Sequence, residues 1–327
     1  MAEAGRARRH VLVTGVGAII GYGVVNTLRR GRYPLKIVGL DIYAHAVGQY
    51  WCDAFERSIP VTDPGYTRFL EEVIGRHRID LVIPGIEQDV TFLSRNRAAF
   101  ADTGARLALN DAELISLSDD KWLTREALLG LGIPAIDSVL GGTFDEIAAR
   151  LGVPFLIKPR RSYASKGILH AGDADDLVYW QRKLGDNFMA QRIVGDADSE
   201  FTASLFGWGD GGGSRKMVLQ RWLAQDGSTA RARVVDEPEL EAQMDALTRA
   251  FRPVGPTNFQ FRREQPNGPS LLLEINPRLS SSTSLRRAFG MNEAEMCVAY
   301  YLDGERPDFP GPRPGGAVRY IEDWLTW

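Results

Sequence analysis

The sequence predicts an α/β fold whose first part is a parallel sheet. Through the first third of the chain, short apolar runs typical of strands alternate with segments of helical character. This alternation indicates parallel strands, because each return to the same edge of the sheet requires a crossover helix. The length of 327 residues exceeds what one small core needs and predicts two or three domains.

The first strand is predicted over residues 10–14, and a glycine-rich turn at residues 15–21 leads into a helix that ends at Gly31. Acidic side chains at Glu87 and Asp89 follow a later strand, at the edge where open α/β sheets bind ligands, although either could cap the next helix. The further strands of this part are predicted at residues 36–40, 57–60, 80–84 and 106–108, with helices near 65–76 and 89–100.

The glycine-rich turn raises an alternative function. Its glycines follow the spacing G-x-G-x-x-x-G, which is one residue longer than the dinucleotide-binding fingerprint. In an NAD(P)-dependent oxidoreductase of this type, Asp41 would bind the ribose. Tyr179 and Lys183 also match the Y-x-x-x-K pair of short-chain dehydrogenases, but they fall on an amphipathic helix, so a solvent-exposed face is the favoured interpretation. Glycines after a first strand also serve simply to close the turn.

Two lysines mark the middle of the chain. A helix capped by Asp119 or Asp120 begins with Lys121, where a cation opposes the helix dipole and gains little structurally. Lys158 ends a short apolar strand at residues 154–159, which favours a role in facing an anion. The loop at residues 160–167 combines basic and small side chains, so it could present charge and backbone N–H groups to phosphates or be an ordinary surface turn.

The stretch FQFRREQPNGPSLLLEINPR, residues 259–278, predicts a β-hairpin around a Pro-Asn-Gly-Pro turn. Strand alternation places Glu274 and Asn276 on one face, with Gln260 across the turn and Arg278 just beyond. Such oxygen donors suit Mg²⁺, which usually binds through one or two carboxylates and substrate phosphates. An edge hairpin with polar residues in water is the alternative.

Composition narrows the classes of partner. A net charge of −3 does not favour nucleic acid or an anionic membrane, and no apolar run approaches the ~20 residues that span a bilayer. The two cysteines, Cys52 and Cys297, have no metal-binding spacing and indicate reduced core residues. The sequence therefore predicts a cytoplasmic protein.

Four blocks, taken in order, resemble the ATP-grasp superfamily, in particular the domain repeated in the large subunit of carbamoyl-phosphate synthetase. This resemblance implies an N-terminal α/β domain over residues 1–115 and a two-lobed α+β ATP-grasp fold, with a small lobe at 116–190 and a large lobe at 191–327. The blocks are DDKWLTREALLGLGIPA, FLIKPRRSYASKG, MAQRIVGDADSEFTASL, and NFQF together with LLLEINPRLSSSTSL.

The resemblance also implies a nucleotide site. Two lysines would hold the phosphates of ATP, the loop at 160–167 would cover them, the hinge would pair with adenine, and an acid would bind the ribose, with Asp198 as the rival for that last role. The residues implied to contact ATP are Lys121, Lys158, Ser165, Gly167, Gln191, Arg192, Ile193 and Glu200.

Mg²⁺, or Mn²⁺ in its place, would be held by Gln260, Glu274 and Asn276, while Arg278 would act as the catalytic residue that steadies the transferred phosphoryl group. Many family members carry a carboxylate at the position of Gln260, which leaves its role as a metal ligand open.

The implied activity is an ADP-forming ligase that joins a carboxylate to an amine or another nucleophile through an acyl phosphate. The substrates would be small molecules, with an amino acid as one candidate acid, and relatives of this type are often homodimers. A nucleotide-binding sensor without turnover is a further alternative. Substrate candidates are Glu87 for an ammonium group, and Ser280, Arg286, Arg287 or Arg319 for the carboxylate.

Overall fold

The computed structural model describes residues 8–162, 167–265 and 268–325. Across these ranges the strands form a five-stranded N-terminal sheet, a four-stranded small sheet and a six-stranded large sheet. The predicted combination of an N-terminal parallel sheet with a two-lobed α+β region is confirmed by this architecture and by the structural neighbours described below.

The N-terminal sheet is parallel and has the strand order β3-β2-β1-β4-β5. The order reverses between β1 and β4, so their carboxyl ends form the crevice in which open α/β sheets bind ligands. Its elements are β1 (Arg9–Thr14), α1 (Ile19–Arg29), β2 (Leu35–Asp41), β3 (Ala54–Arg57), α2 (Tyr66–His77), β4 (Leu81–Ile83), α3 (Glu87–Arg95) and β5 (Arg106–Leu107), with 3-10 helices at Val47–Trp51 and Arg97–Thr103.

The glycine-rich turn after β1 is closed by protein groups. Asp41 is buried, and its carboxylate accepts hydrogen bonds from the backbone N–H of Gly17 at 2.7 Å and of Tyr43 at 2.9 Å. A Cβ added at Gly21 would lie 2.1 Å from the carbonyl oxygen of Gly15, so α1 packs against the turn only with glycine there. The glycines thus allow close packing of the turn. The carboxylate of Asp41 stabilises this turn, whereas the oxidoreductase alternative would have it bind a ribose.

The small sheet is antiparallel, with strand order β6-β9-β7-β8. The Asp120 side chain accepts from the backbone N–H groups of Trp122 and Leu123, so the predicted cap is present and Lys121 is the first helical residue. The elements here are α4 (Ala112–Asp119), α5 (Lys121–Gly130), β6 (Ser138–Val139), α6 (Phe144–Leu151), β7 (Phe155–Pro159), β8 (Leu169–Ala171), α7 (Ala174–Leu184) and β9 (Phe188–Gln191).

The large sheet has the order β14-β13-β10-β11-β12-β15, and the predicted hairpin forms its β13–β14 edge. Phe201, Phe259 and Phe261 on one face pack against a helix, whereas the opposite face is polar near the hairpin. The elements are β10 (Glu200–Trp208), β11 (Met217–Leu223), β12 (Thr229–Val234), α8 (Pro238–Phe251), β13 (Val254–Arg263), β14 (Ser270–Asn276), α9 (Thr283–Ala288), α10 (Glu293–Asp303) and β15 (Gly316–Val318).

One apolar cluster joins the N-terminal and large sheets. It contains Val11 and Val13 of β1, Val298 of α10 and Leu219 of β11, all buried. Asn110 reinforces this junction, because its amide donates to the hydroxyl of Thr257 at 2.7 Å. The carboxyl edge of the N-terminal sheet is thereby held opposite the polar face of the large sheet.

Candidate active site

A cleft of about 370 Å³ lies where these two surfaces face each other. Its walls are the loops after β1 and β4, the start of α5, the β11–β12 turn and the hairpin β13–β14. A groove of about 630 Å³ beside α4 and α8 is larger, but its charged residues are Asp111 and Glu113 alone. The charged and amide side chains of the cleft are Glu87, Gln88, Asp119, Lys121, Arg221, Asp226, Gln260, Glu274, Asn276 and Arg278.

The hairpin supplies the polar floor of the cleft. Gln260 lies directly opposite Glu274, and Asn276 lies two residues further along the same face. Asn276 donates to Oε1 of Glu274 at 2.9 Å, and its own Oδ1 accepts from Arg278 at 2.9 Å. The expected trio of oxygen donors is therefore brought together beside Arg278.

Arg278 links the hairpin to the N-terminal sheet. Its Nε donates to the carboxylate of Glu87, the first residue of α3, in a short ion pair. Its Nη1 donates to the carbonyl oxygen of Leu279 at 3.0 Å. Glu87 thus orients Arg278 in this structure, and its contact with a substrate ammonium group stays a prediction. Asp89 does not reach the cleft, because it is buried and accepts from the hydroxyl of Tyr66 at 3.2 Å.

Both predicted lysines face the hairpin. Lys121 lines the cleft, and its Nζ donates to the carbonyl oxygen and the hydroxyl of Ser162 at 2.9 Å and 3.2 Å. Lys158 is buried and donates to Oε1 of Gln191 at 2.6 Å. The amide nitrogen of Gln191 in turn donates to the hydroxyl of Ser138 at 3.0 Å, so both ends of this predicted hinge side chain have a protein partner.

The pKa of each lysine is lowered. Burial is the main cause for Lys121, opposed by the negative charge of Glu274. Burial, the largest cause, and the positive charges of Lys121 and Arg262 together lower the pKa of Lys158 to about 7, against the opposing effect of Glu274. The positive charge of Lys121 disfavours the charged form of Lys158, so the two lysines are close enough to interact, with Glu274 near both.

Glu200 lies on the same sheet face as Gln260, but two arginines enclose it. Arg221 donates through Nε to Oε1 at 3.0 Å, and Arg262 forms a short ion pair with Oε2. Burial alone would raise the pKa of Glu200, yet these two guanidinium groups hold it below its usual range. Its rival Asp198 is exposed and accepts from the indole N–H of Trp222.

The remaining predicted nucleotide contacts lie around β7 and β9. Arg192 forms an ion pair with Glu264, and Ile193 is half-buried just after β9. Gly167 has φ +78° and lies against Pro159 at the end of β7, where a side chain would be strained. Ser165 lies outside the described residues.

The substrate candidates separate into two groups. Ser280 lines the cleft, although its hydroxyl already accepts from Arg286 at 2.8 Å. Arg286 is fully buried in an ion pair with Glu293 beneath the sheet. Arg287 and Arg319 do not line the cleft. The guanidinium group of Arg287 donates to the carbonyl oxygen of Arg30 at 2.9 Å, and that of Arg319 donates to the carbonyl oxygen of Thr229 at 2.7 Å.

Arg221 and Arg262 are site residues that the sequence analysis missed. Arg262 follows Gln260 by two residues on one strand, so alternation already placed both side chains on one face. No comparable motif surrounds Arg221, and only the pairing of β10 with β11 brings it beside Glu200. Tyr179 and Lys183 are on the outer surface of α7, with Tyr179 57% exposed and the ammonium group 5.4 Å from its ring, as a solvent-exposed face predicts.

The donors around Glu274 suit a hard divalent cation. They are one carboxylate and neighbouring amide oxygens, the ligand types that Mg²⁺ takes when phosphates complete its coordination. One oxygen of Glu274 accepts from Asn276, and none of the described residues donates to the other. No group of three or more His, Cys, Asp or Glu side chains that could hold a metal ion occurs in the described part of the chain.

Comparison with known families matches two separate parts of the chain. Residues 210–324 match a family described as ATP-grasp in the biosynthetic pathway with Ter operon. Residues 11–108 match the PylC-like N-terminal domain. The first match includes the hairpin and Arg278, and the second covers the N-terminal sheet.

Two curated relatives match longer parts of the chain. The chain is 26% identical to formate-dependent phosphoribosylglycinamide formyltransferase of Bacteroides thetaiotaomicron, covering 53% of this chain and 43% of the relative. It is 22% identical to the carbamoyl phosphate synthase large chain of a Synechocystis species, covering 81% of this chain and 27% of the relative. The chain thus spans less than half the length of these relatives.

Solved structures share the fold. N5-carboxyaminoimidazole synthetase from Staphylococcus aureus, complexed with ADP, superposes with a TM-score of 0.72 at 15% identity, covering 97% of this chain and 84% of the other. The biotin carboxylase domain of 2-oxoglutarate carboxylase from Hydrogenobacter thermophilus gives a TM-score of 0.69 at 14% identity, covering 94% and 72%. Together with the family match at residues 210–324 and the carbamoyl phosphate synthase relative, this shared fold confirms the resemblance to ATP-grasp ligases. No helix in the described ranges is long and apolar enough to cross a membrane.

Proposed function

We propose that this relative of the ATP-grasp ligases uses ATP to join a small carboxylic acid to an amine or a similar nucleophile, with release of ADP and phosphate. One observation carries the proposal. Lys158 is buried, has Lys121, Glu274 and Arg262 as electrostatic neighbours, and has no ion-pair partner among the described residues. Burial without such a partner disfavours its charged form, and a bound anion would stabilise that form.

The anion in this proposal is a nucleoside triphosphate, because structural neighbours with this fold were solved with ADP. Lys121 and Lys158 would hold its phosphates, and Glu200 and Gln191–Ile193 would contact the ribose and the base. Glu274 and Asn276 would hold Mg²⁺ or Mn²⁺, which when bound neutralises phosphate charge and orients the γ-phosphoryl group. Arg278 lies beside these groups and would contact the transferred phosphoryl group.

The chemistry follows from these positions. A carboxylate oxygen of the acid attacks the γ-phosphorus, the bond to the β–γ bridging oxygen breaks, and ADP leaves. The amine nitrogen then attacks the acyl carbon, loses a proton to a base, and phosphate departs with the former carboxylate oxygen. Glu87 fixes the guanidinium of Arg278 so that it can neutralise the phosphoryl oxygens during transfer. Ser280, in the cleft wall next to Arg278, supports placing the acid on this side.

The proposal includes a division of the chain into three parts. The N-terminal domain at residues 1–115 would supply the acid-facing wall, and the lobes at 116–190 and 191–327 would enclose the nucleotide. We also propose that the protein forms a homodimer and is cytoplasmic. The free thiols of Cys52 and Cys297 suit a reducing compartment, and sedimentation would establish the oligomeric state.

The test is ADP release in the presence of ATP, Mg²⁺ and pools of amino acids with other small acids and amines. We expect stimulation by at least one pool, and loss of nucleotide binding in Lys158→Ala. Lys183→Ala is the matched control, because that lysine lies on the outer surface of α7. Separate melting curves with ATP and NADPH discriminate against the oxidoreductase alternative, since only a ligand of the folded state raises the melting temperature. Folded protein without stimulation in any pool, or stabilised by NADPH alone, would contradict the proposal.

A further inference from the structure

Arg221 lies in the cleft although no sequence pattern marked it. It is 5% exposed and projects from β11 on the face that carries Glu200 and Gln260. Its Nε donates to Glu200 at 3.0 Å, and its Nη2 is shared between Glu200 and Oε1 of Gln260, the latter at 2.6 Å. The guanidinium plane is therefore fixed from two sides.

One edge of this guanidinium group remains available. None of the described residues accepts a hydrogen bond from Nη1, and Arg221 is among the residues that line the cleft. The single negative charge of Glu200 does not fully neutralise Arg221, because Arg262 pairs with the same carboxylate. The group of three side chains therefore carries one positive charge in excess at the cleft wall.

The same contact changes what Gln260 can do. Its carbonyl oxygen accepts from a cation at 2.6 Å, so a divalent ion bound to that oxygen would be placed close to a fixed positive charge. Glu274, on the neighbouring strand, is a carboxylate without such a cation on its second oxygen. Of the three predicted metal ligands, Glu274 is the charged one and has an oxygen that accepts no hydrogen bond from the described residues, whereas the carbonyl oxygen of Gln260 is uncharged and accepts from Arg221.

We propose that Arg221 is a phosphate-binding residue of the nucleotide site, and that Gln260 orients Arg221 and is not a ligand of the divalent cation. This inference rests on the proposed function. A guanidinium group held in a fixed plane binds phosphate oxygens with charge-assisted, directional hydrogen bonds. The amide of Gln260 is suited to hold it, because an uncharged acceptor fixes the guanidinium plane without adding a second negative charge to that of Glu200.

The experiment measures binding by the full-length chain to AMP-PNP, with Mn²⁺ as a spectroscopic probe of the cation. Calorimetry gives the affinity for AMP-PNP, and electron paramagnetic resonance gives the affinity for Mn²⁺ in the nucleotide complex. The variants are Arg221→Met, Arg221→Lys, Gln260→Met and Glu274→Gln. Arg233→Met is the control, because Arg233 is an exposed arginine on the neighbouring strand β12.

We expect Arg221→Met to weaken AMP-PNP binding by about tenfold or more, the usual effect of losing a charge-assisted hydrogen bond, and Arg221→Lys to recover part of the loss. Gln260→Met should change Mn²⁺ affinity less than about twofold, whereas Glu274→Gln should lower it by about tenfold or more. Arg233→Met should match the wild type.

The results distinguish a failure of the roles inferred for Arg221 and Gln260 from a failure of the proposed ATP-dependent function. Failure of the wild-type protein to bind AMP-PNP would contradict the proposed function itself. Normal binding in the wild type together with unchanged affinity in folded Arg221→Met would overturn the role of Arg221. If Arg221→Met does not fold, Gln260→Met decides, because a loss of Mn²⁺ affinity as large as that of Glu274→Gln would make Gln260 a cation ligand and overturn the inference.

Discussion

Lys158 allows a quantitative prediction, because burial brings its pKa to about 7 from an ordinary value of 10.5. At pH 8 the free protein would carry this proton on only about a tenth of its molecules. Bound phosphates favour the charged ammonium, so binding of ATP should take up about 0.9 proton per site. Between pH 7 and pH 9 the protonated fraction falls from about one half to about one hundredth, so the association constant should decrease roughly fiftyfold.

The assay is calorimetric titration of MgATP at pH 8 in two buffers of different ionisation enthalpy, which gives the number of protons taken up. Lys158→Met removes the group, so the variant should bind weakly and take up about 0.9 proton less. The effect of Lys158 on folding stability has the opposite pH dependence from that of a lysine in a stabilising ion pair. The unfolded chain binds more protons between pH 7 and 10.5, so Lys158 makes the free protein more stable as pH rises through that window. Equal proton uptake by wild type and variant would refute the reasoning.

Three substitutions test other parts of the account. Glu274→Ala should abolish turnover while the protein remains folded, because this half-buried carboxylate is the proposed cation ligand; full activity in the ADP-release assay would exclude that role. Arg286→Met should lower the free energy of unfolding by about 3–5 kcal/mol in denaturant titrations, because it leaves Glu293 buried without its partner; a loss below about 1 kcal/mol would contradict this. Gly21→Ala should lower the melting temperature, since its Cβ would meet a carbonyl oxygen at 2.1 Å, whereas Gly75→Ala in helix α2, with no atom within 4 Å, should leave stability unchanged or raise it by about 0.5–1 kcal/mol.

The parts of the fold that the sequence predicts well are those with local signals. The hairpin carries its own turn residues and alternation, and the face shared by Gln260, Glu274 and Asn276 follows from that alternation alone. The cap at Asp120 is a local feature for the same reason. The predicted strand at residues 57–60 lies three residues earlier, at Ala54–Arg57, because pairing with β2 selects the register.

The parts that the sequence does not predict depend on partners distant in the chain. The pairing of Arg278 with Glu87 joins residues 191 positions apart, and nothing in either segment indicates the other. Arg286 and Arg319 look like candidates for binding an acid, yet one is buried against Glu293 and the other donates to backbone carbonyl oxygens. A basic side chain on a sheet face can serve structure or ligand equally well, and only the tertiary packing distinguishes the two.

The direct test of the central claim is to follow oxygen from the acid into phosphate. The chain is incubated with ATP, Mg²⁺, an amine pool and carboxylic acids labelled with ¹⁸O in the carboxylate, and the released phosphate is analysed by mass spectrometry. Activation through an acyl phosphate predicts one labelled oxygen per phosphate together with ADP. Phosphate without label, or formation of AMP and pyrophosphate, would contradict the account.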